Sequence, residues 1–392
     1  MKLQFPDGFI WGTSTAAAQV ETASFHQWKG LKSRDGHVFD RTTDHELRRS
    51  EDIQFIKQFG NMYRCSLDWS RLQRKAFGDF DQIVVGEYQA FLSDLRAEGM
   101  EIMFVIHHFL NPTWFEERDS WLAEENIAAF VDYARQCIQY FGEFTSNWNT
   151  FNEPNIYCMN SFFMGNFPPH KKSYFKATKA KKHMAMAHDI VYDLIKEQYP
   201  EASVGISLNT ATFKAIHPLG YLPAKFTDWW FTSHTAQLFQ KVDYWGLSYY
   251  AYIPFNPAPI TELNQPGKLA KLGIPHDKLW AYYPEGFAAI MRSFYKKYQK
   301  PIIITENGIC TDDPEVRIAS IKDYLQICHQ LIEEGIPLLG YIHWSTWDNF
   351  EWDLGPTYRF GLVRVDMESM ERQMTPAGEF YAQICQNNAL EI

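Results

Sequence analysis

Two glutamates stand where a side chain is better placed for chemistry than for structure. One run reads Trp148-Asn149-Thr150-Phe151-Asn152-Glu153-Pro154, and the other Ile303-Ile304-Thr305-Glu306-Asn307-Gly308. In each, a carboxyl group leaves an apolar run directly into a Pro or Gly turn. Such a Glu is poorly placed as a surface charge and well placed for a pocket. Two carboxyl groups, one protonated and one ionised at neutral pH, are what glycosidic cleavage needs. The first gives the leaving oxygen its proton and the second attacks the anomeric carbon. The ordinary alternative is that each Glu ends a strand and caps the next helix, a reading weakened by the two occurring together.

The elements that must position them alternate regularly. Candidate strands span 9–15, 61–69, 101–109, 144–151, 203–209, 244–250, 301–305 and 338–344, several of them near-continuous apolar runs. Helical patterns follow at 51–59, 88–97, 124–141, 175–199, 223–240, 285–298, 315–334 and 376–386, and Gly60, Gly99 and Gly142 stop the first three. Eight strands alternating with eight helices predict an α/β chain folded as one (β/α)8 barrel, with residues 1–392 as a single catalytic domain. The two glutamates then leave the fourth and seventh strands at their C-terminal ends, where barrels place reacting groups. The long irregular stretch 251–283 is expected to be a loop on that same face.

Composition narrows the rest. Of 392 residues, 46% are hydrophobic and 21% charged, enough for a large core and unlike a disordered chain. The formal net charge of -10 opposes nucleic-acid binding. The densest basic run, Lys179-Ala180-Lys181-Lys182, reads as a solvated helix face. The six cysteines lack C-x-x-C spacing and read as reduced core residues, which points to a cytoplasmic protein. No uncharged run is long enough to span a membrane, and no membrane partner is expected. His107-His108 point to opposite strand faces and no further cluster supports them, so neither a metal nor a cofactor is expected.

Across nearly its whole length the sequence resembles glycoside hydrolase family 1. The similarity runs through Phe5-Pro6-Asp7-Gly8-Phe9-Ile10-Trp11-Gly12, 15–21, Ser50-Glu51-Asp52-Ile53 and Tyr63-Arg64. It continues through Asp68-Trp69-Ser70-Arg71, His107-His108-Phe109, the two Glu runs, 344–352 and Arg359-Phe360-Gly361-Leu362. The resemblance implies a retaining exo-β-glycosidase acting on small β-glycosides or oligosaccharides, most nearly a β-glucosidase, with β-galactosidase and β-fucosidase activity left open. In it Glu153 matches the acid/base and Glu306 the nucleophile, with carboxyls about 5–5.5 Å apart as retention requires. Asn152 matches the residue holding the sugar 2-OH, Arg64 an Arg beside the nucleophile, and Tyr250 a Tyr whose hydroxyl touches it. Gln19, His108, Glu351 and Trp352 match residues gripping the non-reducing sugar, and Trp344 its floor. Trp347 is expected to be core.

The sequence departs from the family at Ala18, Thr22 and Ser248, where an aromatic, Gly and Asn are usual. It is also shorter than typical members, which should open the leaving-group side. A 6-phospho-β-glycosidase would replace Glu351, whose charge repels a phosphate dianion. A thioglucosidase would lack Glu153. A catalytically inactive sugar-binding barrel and a metal-dependent barrel hydrolase are the remaining rivals, separated by turnover of an aryl β-glucoside and by chelation.

Overall fold

The computed structural model of the chain describes residues 2–255 and 266–392. Eight parallel strands close into a barrel: β1 (Ile10–Ser14), β2 (Met62–Ser66), β3 (Glu101–His107) and β4 (Asn147–Asn152), then β5 (Ser203–Ala215), β6 (Tyr244–Phe255), β7 (Ile302–Asn307) and β8 (Leu338–Trp344). Closure comes from β1 against β8, in register from Ile10↔Gly340 to Ser14↔Trp344. Around it run α1 (His45–Ile56), α2 (Gln82–Ala97), α3 (Glu125–Phe141) and α4 (Tyr174–Gln198). After these come α5 (Tyr221–Asp228, continuing by 229–233 into His234–Leu238), α6 (Pro284–Tyr298), α7 (Pro314–Glu333) and α8 (Pro376–Asn387). The expected (β/α)8 barrel is therefore the fold.

The barrel interior is layered by side-chain type. At the bottom Met62, Met103, Tyr244, Ile303 and Ile342 form an apolar plug. Above it strand residues turn polar. Ser207 Oγ accepts from Asn149 Nδ2 at 2.6 Å and donates to Thr305 Oγ1 at 2.8 Å. Gly246 leaves this layer its room, since a Cβ there would lie 2.8 Å from Thr305 and 3.0 Å from Ser207 Oγ. Apolar below and hydrogen-bonded above, the layers give the strands' C-terminal ends a polar floor.

Several boundaries differ from those the sequence suggests. Asp81 accepts hydrogen bonds from the amides of Ile83 and Val84, so α2 starts at Gln82 and not at 88. The second strand ends at Ser66, because Asp68 caps a short helix, Trp69–Leu72. β5 and β6 run well past the expected 209 and 250, staying paired as far as Ala215↔Phe255. The expected loop at 251–283 is thus strand to Phe255, and its 256–265 part lies outside the described residues. Lys181 corrects the reading of its run as solvated: it is buried, donating to the Trp230 carbonyl at 3.0 Å with its ammonium 4.0 Å from that ring's centre. Among the described residues no helix is long and apolar enough to cross a membrane.

Candidate active site

Glu153 follows the last residue of β4 with a left-handed backbone, φ 39°, a conformation its surroundings must hold. Its amide donates to the Ser207 carbonyl of β5 at 2.8 Å, and its carbonyl accepts from the Tyr157 amide at 3.0 Å. This is the capping position of the helix Pro154–Cys158, yet the side chain makes no cap. The carboxyl accepts instead from Asn209 Nδ2 at 2.8 Å. The strand-end capping role therefore fails for Glu153.

Glu306 lies near the end of β7. Its Oε1 accepts from Arg64 Nη1 at 2.7 Å and its Oε2 from the Tyr250 hydroxyl at 3.0 Å. Arg64, fully buried on β2, also donates to Ser14 Oγ, Asn152 Oδ1 and Ser207 Oγ at 3.0, 2.6 and 3.1 Å. One guanidinium thus ties β1, β2, β4, β5 and β7 around a single carboxylate, using the fixed fork that a lysine lacks.

The other expected residues converge on the same place. Asn152 Nδ2 donates to His108 Nε2 at 2.9 Å. The His108 ring centre lies 5.7 Å from that of Trp344 and 6.0 Å from that of Trp352. Gln19 Nε2 donates to Glu351 Oε2 at 3.2 Å and to Asn349 Oδ1 at 2.9 Å. His107 faces away, among Trp121, Phe151 and Tyr157. Trp347 is core, its indole donating to Thr43 Oγ1 at 3.2 Å. Gln19 Oε1 and His108 Nδ1 are buried with no hydrogen-bond partner among the described residues. Orphaned polar atoms are costly, and a polyhydroxylated ligand would satisfy both.

The model of glycosyl hydrolase family 1 matches residues 1–220 and 227–390. The chain belongs to this family. As a family 1 glycoside hydrolase it acts on O-glycosyl bonds. It is 26% identical to Beta-glucosidase A of Thermotoga maritima over 452 aligned positions, covering 99% of both chains. Those positions exceed the 392 residues here, so the relative carries segments this chain lacks. The Thermotoga maritima β-glucosidase in complex with deoxynojirimycin superposes with a TM-score of 0.89 at 25% identity, covering 99% of this chain and 100% of that one. A β-glycosidase from Pyrococcus horikoshii gives 0.88 at 27% identity, covering 100% and 97%.

Two residues of this family 1 site escaped sequence reasoning. Asn209 holds the Glu153 carboxyl, and its signal was available: a polar residue at the end of the expected strand 203–209, although β5 itself runs on to Ala215. Trp280 packs 5.5 Å from Tyr250 and 6.0 Å from Phe360, centre to centre; nothing in the irregular 251–283 stretch marks it. Ser248, the departure from Asn, faces the Glu153 carboxyl, but its hydroxyl does not reach hydrogen-bond geometry. Asn209 is then left as the amide that holds this carboxyl.

The electrostatics separate the two glutamates. Burial, then the charge of Glu306, pushes the Glu153 carboxyl up to about 8. Burial raises Glu306 as well, an effect the sequence did not reveal. Arg64 and the Tyr250 hydroxyl pull Glu306 back down, and among the described residues no cation touches Glu153, so Glu306 ionises first. Glu351 is also pushed up to about 8, by burial and then by Glu306. Burial drives His107 and His188 down to about 4 and His108 well below its usual range.

These shifts predict how stability varies with pH. A carboxyl raised by folding keeps its proton where the unfolded chain has lost it. Its contribution is complete below the unfolded value of 4.5 and is lost as pH rises through about 8. A histidine lowered by folding acts oppositely and costs stability as pH falls below 6.5. The two effects offset each other between 4.5 and 6.5, and above that range the carboxyls dominate until Lys181, lowered to about 8 by burial, begins to oppose them. The free energy of unfolding is expected to fall from pH 6.5 to pH 8, by at most about 2 kcal/mol for each raised carboxyl, and the melting temperature falls with it. Glu351→Gln should flatten this limb in calorimetric scans. A limb that rises, or one unchanged in Glu351→Gln, would contradict the assignment.

Proposed function

We propose that this family 1 chain is a retaining β-glucosidase formed by one catalytic domain, residues 1–392. Glu153 is its acid/base and Glu306 its nucleophile. The observation that carries the reading is the unequal setting of two buried carboxyls, one held by an amide alone and the other by a guanidinium and a phenol.

The chemistry follows from that inequality. Glu306, the first to ionise, attacks the anomeric carbon. The glycosidic C–O bond breaks as protonated Glu153 gives its proton to the departing oxygen, and the aglycone leaves as an alcohol. The sugar is now an ester of Glu306, whose negative charge has gone. With it goes the second cause of Glu153's raised affinity for protons, so Glu153, now ionised, stays so and acts as a base. It takes a proton from water, which attacks the anomeric carbon and frees Glu306. Two inversions give retention.

Asn152, beside both Arg64 and His108, is the residue that meets the sugar 2-OH. Gln19, His108 and Glu351 grip the other hydroxyls of the terminal glucose, with Trp344 and Trp352 as its aromatic walls. The β-glucosidase relatives support glucose as the sugar. The six buried, unpaired cysteines support a reducing compartment, the cytoplasm.

A panel of nitrophenyl β-glycosides, followed by NMR of the first sugar released, tests the reading. Expected are turnover of the β-glucoside and initial appearance of the β-anomer. First release of the α-anomer would remove the two-step mechanism, and inertness toward the glucoside would remove the substrate.

A further inference from the structure

The barrel rim beside Glu153 carries a face that the reaction does not use. On α5, Leu222, Phe226 and Trp229 recur at i, i+4 and i+7, the spacing of a single helix face, and all three are exposed. The inward side of this segment is taken by Ala224 and Trp230. Leu219 just before α5 and Phe175 on α4 enlarge the apolar face. Phe175 is 82% exposed, Leu222 76% and Leu219 70%, so these side chains project and do not line a groove. Tyr174 joins the two helices, its ring centre 6.2 Å from that of Phe226.

The charge around this face runs against that of the whole chain, which is -10. No acidic residue occurs between Glu153 and Asp189, a stretch holding six lysines, and none between Glu201 and Asp228, which holds Lys214 and Lys225. Lys172, Lys176, Lys179 and Lys182 are exposed along α4 and its approach, and Lys214 and Lys225 beside α5. The acids nearest to them in sequence are Asp228, three residues after Lys225, and Asp189, seven after Lys182; Glu124 and Glu125 lie near His183 and Lys179 on the other side of α4.

We infer that this basic, aromatic rim is a docking surface for an anionic lipid bilayer. Projecting apolar side chains enter the boundary between headgroups and acyl chains, and lysines around them meet acidic headgroups. Charge complementarity selects this partner over a second copy of the chain. A two-fold dimer through this face would set the same lysines against one another. The face is also joined to the site. Asn155, two residues after Glu153, donates to the carbonyls of Asn209 at 2.8 Å and of Phe231 at 3.3 Å. The expectation of no membrane partner rested on the lack of a spanning segment, which surface binding does not need.

Pelleting with vesicles of phosphatidylcholine, with and without phosphatidylserine, tests this on the full chain, and its readout is independent of the glycosidase reading. Pelleting is expected only with phosphatidylserine and should weaken as salt is raised. Lys172→Ala with Lys176→Ala should lower the partition coefficient on the order of tenfold. Leu222→Ser with Phe226→Ser should lower it by about tenfold or more. Unchanged thermal melting of both double variants would show that the fold is kept. No pelleting, or pelleting indifferent to both pairs, would overturn the proposal. A concentration-dependent dimer in sedimentation velocity, lost in Leu222→Ser with Phe226→Ser and without vesicle binding, would assign the face to a second copy instead.

Discussion

Glu306→Gln is expected to lower kcat on an aryl β-glucoside by on the order of 10⁵-fold, since in the proposed mechanism it removes the group that forms the covalent bond. The amide keeps the shape of the carboxyl and an oxygen for Arg64, so the fold should persist. What changes is the charge balance around a fully buried guanidinium. Glu153 and Glu351 are both raised by burial and then by the charge of Glu306. Once that charge is gone, both should ionise at lower pH and compensate Arg64, which limits the cost of leaving a buried cation unpaired. Carbon-13 titration of labelled Glu side chains in the variant should show both carboxyls moving down from about 8. Near-normal turnover of Glu306→Gln would remove Glu306 from the nucleophile's place. Unmoved carboxyls would mean that Glu306 does not sense them.

The difference between what the sequence revealed and what it hid has a physical pattern. β4 and β7 were legible because a strand covered on both faces reads as an apolar run, and a Glu at its end breaks that run visibly. Helix α1 runs from His45 only to Ile56 and ends before the expected stop at Gly60, whereas the end of α2 at Gly99 was legible because that glycine takes a positive φ at the stop. The start of α2 was not, because its cap Asp81 precedes Gln82 and Ile83, before the apolar period is established. β5 and β6 were cut short for a related reason. Past the barrel rim, Thr212 and Lys214 pair with Tyr252 and Pro254 on a two-stranded extension whose outer residues need not be apolar. Lys181 shows the converse error. Its charge suggested water, whereas one carbonyl and one indole suffice to bury it.

The site divides along the same line. Glu153 and Glu306 stood out because a carboxyl is unusual at the end of an apolar strand, whereas Gln19, His108, Glu351, Trp344 and Trp352 were implied only by the family resemblance. Asn209 was passed over because an amide is chemically quiet, although it positions the carboxyl as directly as Arg64 positions the other. Burial of Glu306 was also hidden, since local sequence does not say how deeply a strand end lies beneath its loops. The sequence thus named the groups, and the packed barrel decides which of them holds its proton.

The roles of the two carboxyls are separated most sharply by rescue with azide. Glu153→Ala removes the proton donor and leaves the nucleophile in place. An aryl glucoside with a good leaving group needs little protonation, so Glu306 should still form the glycosyl ester. That ester then waits for a water that no base activates, and turnover should fall by on the order of 10²–10⁴-fold, the usual range for general acid–base help. Azide needs no base and fits the space the carboxyl vacates. It should restore turnover and, after two inversions, yield the β-glucosyl azide. In Glu306→Ala the vacancy lies on the opposite face of the sugar. Azide there displaces the aglycone in one inversion while Glu153 donates its proton, giving the α-azide from a β-substrate. Proton NMR of each product reads the anomer directly. Swapped configurations would exchange the two roles. Absence of rescue in both variants, with their folds intact, would favour a sugar-binding barrel that does not turn over its ligand.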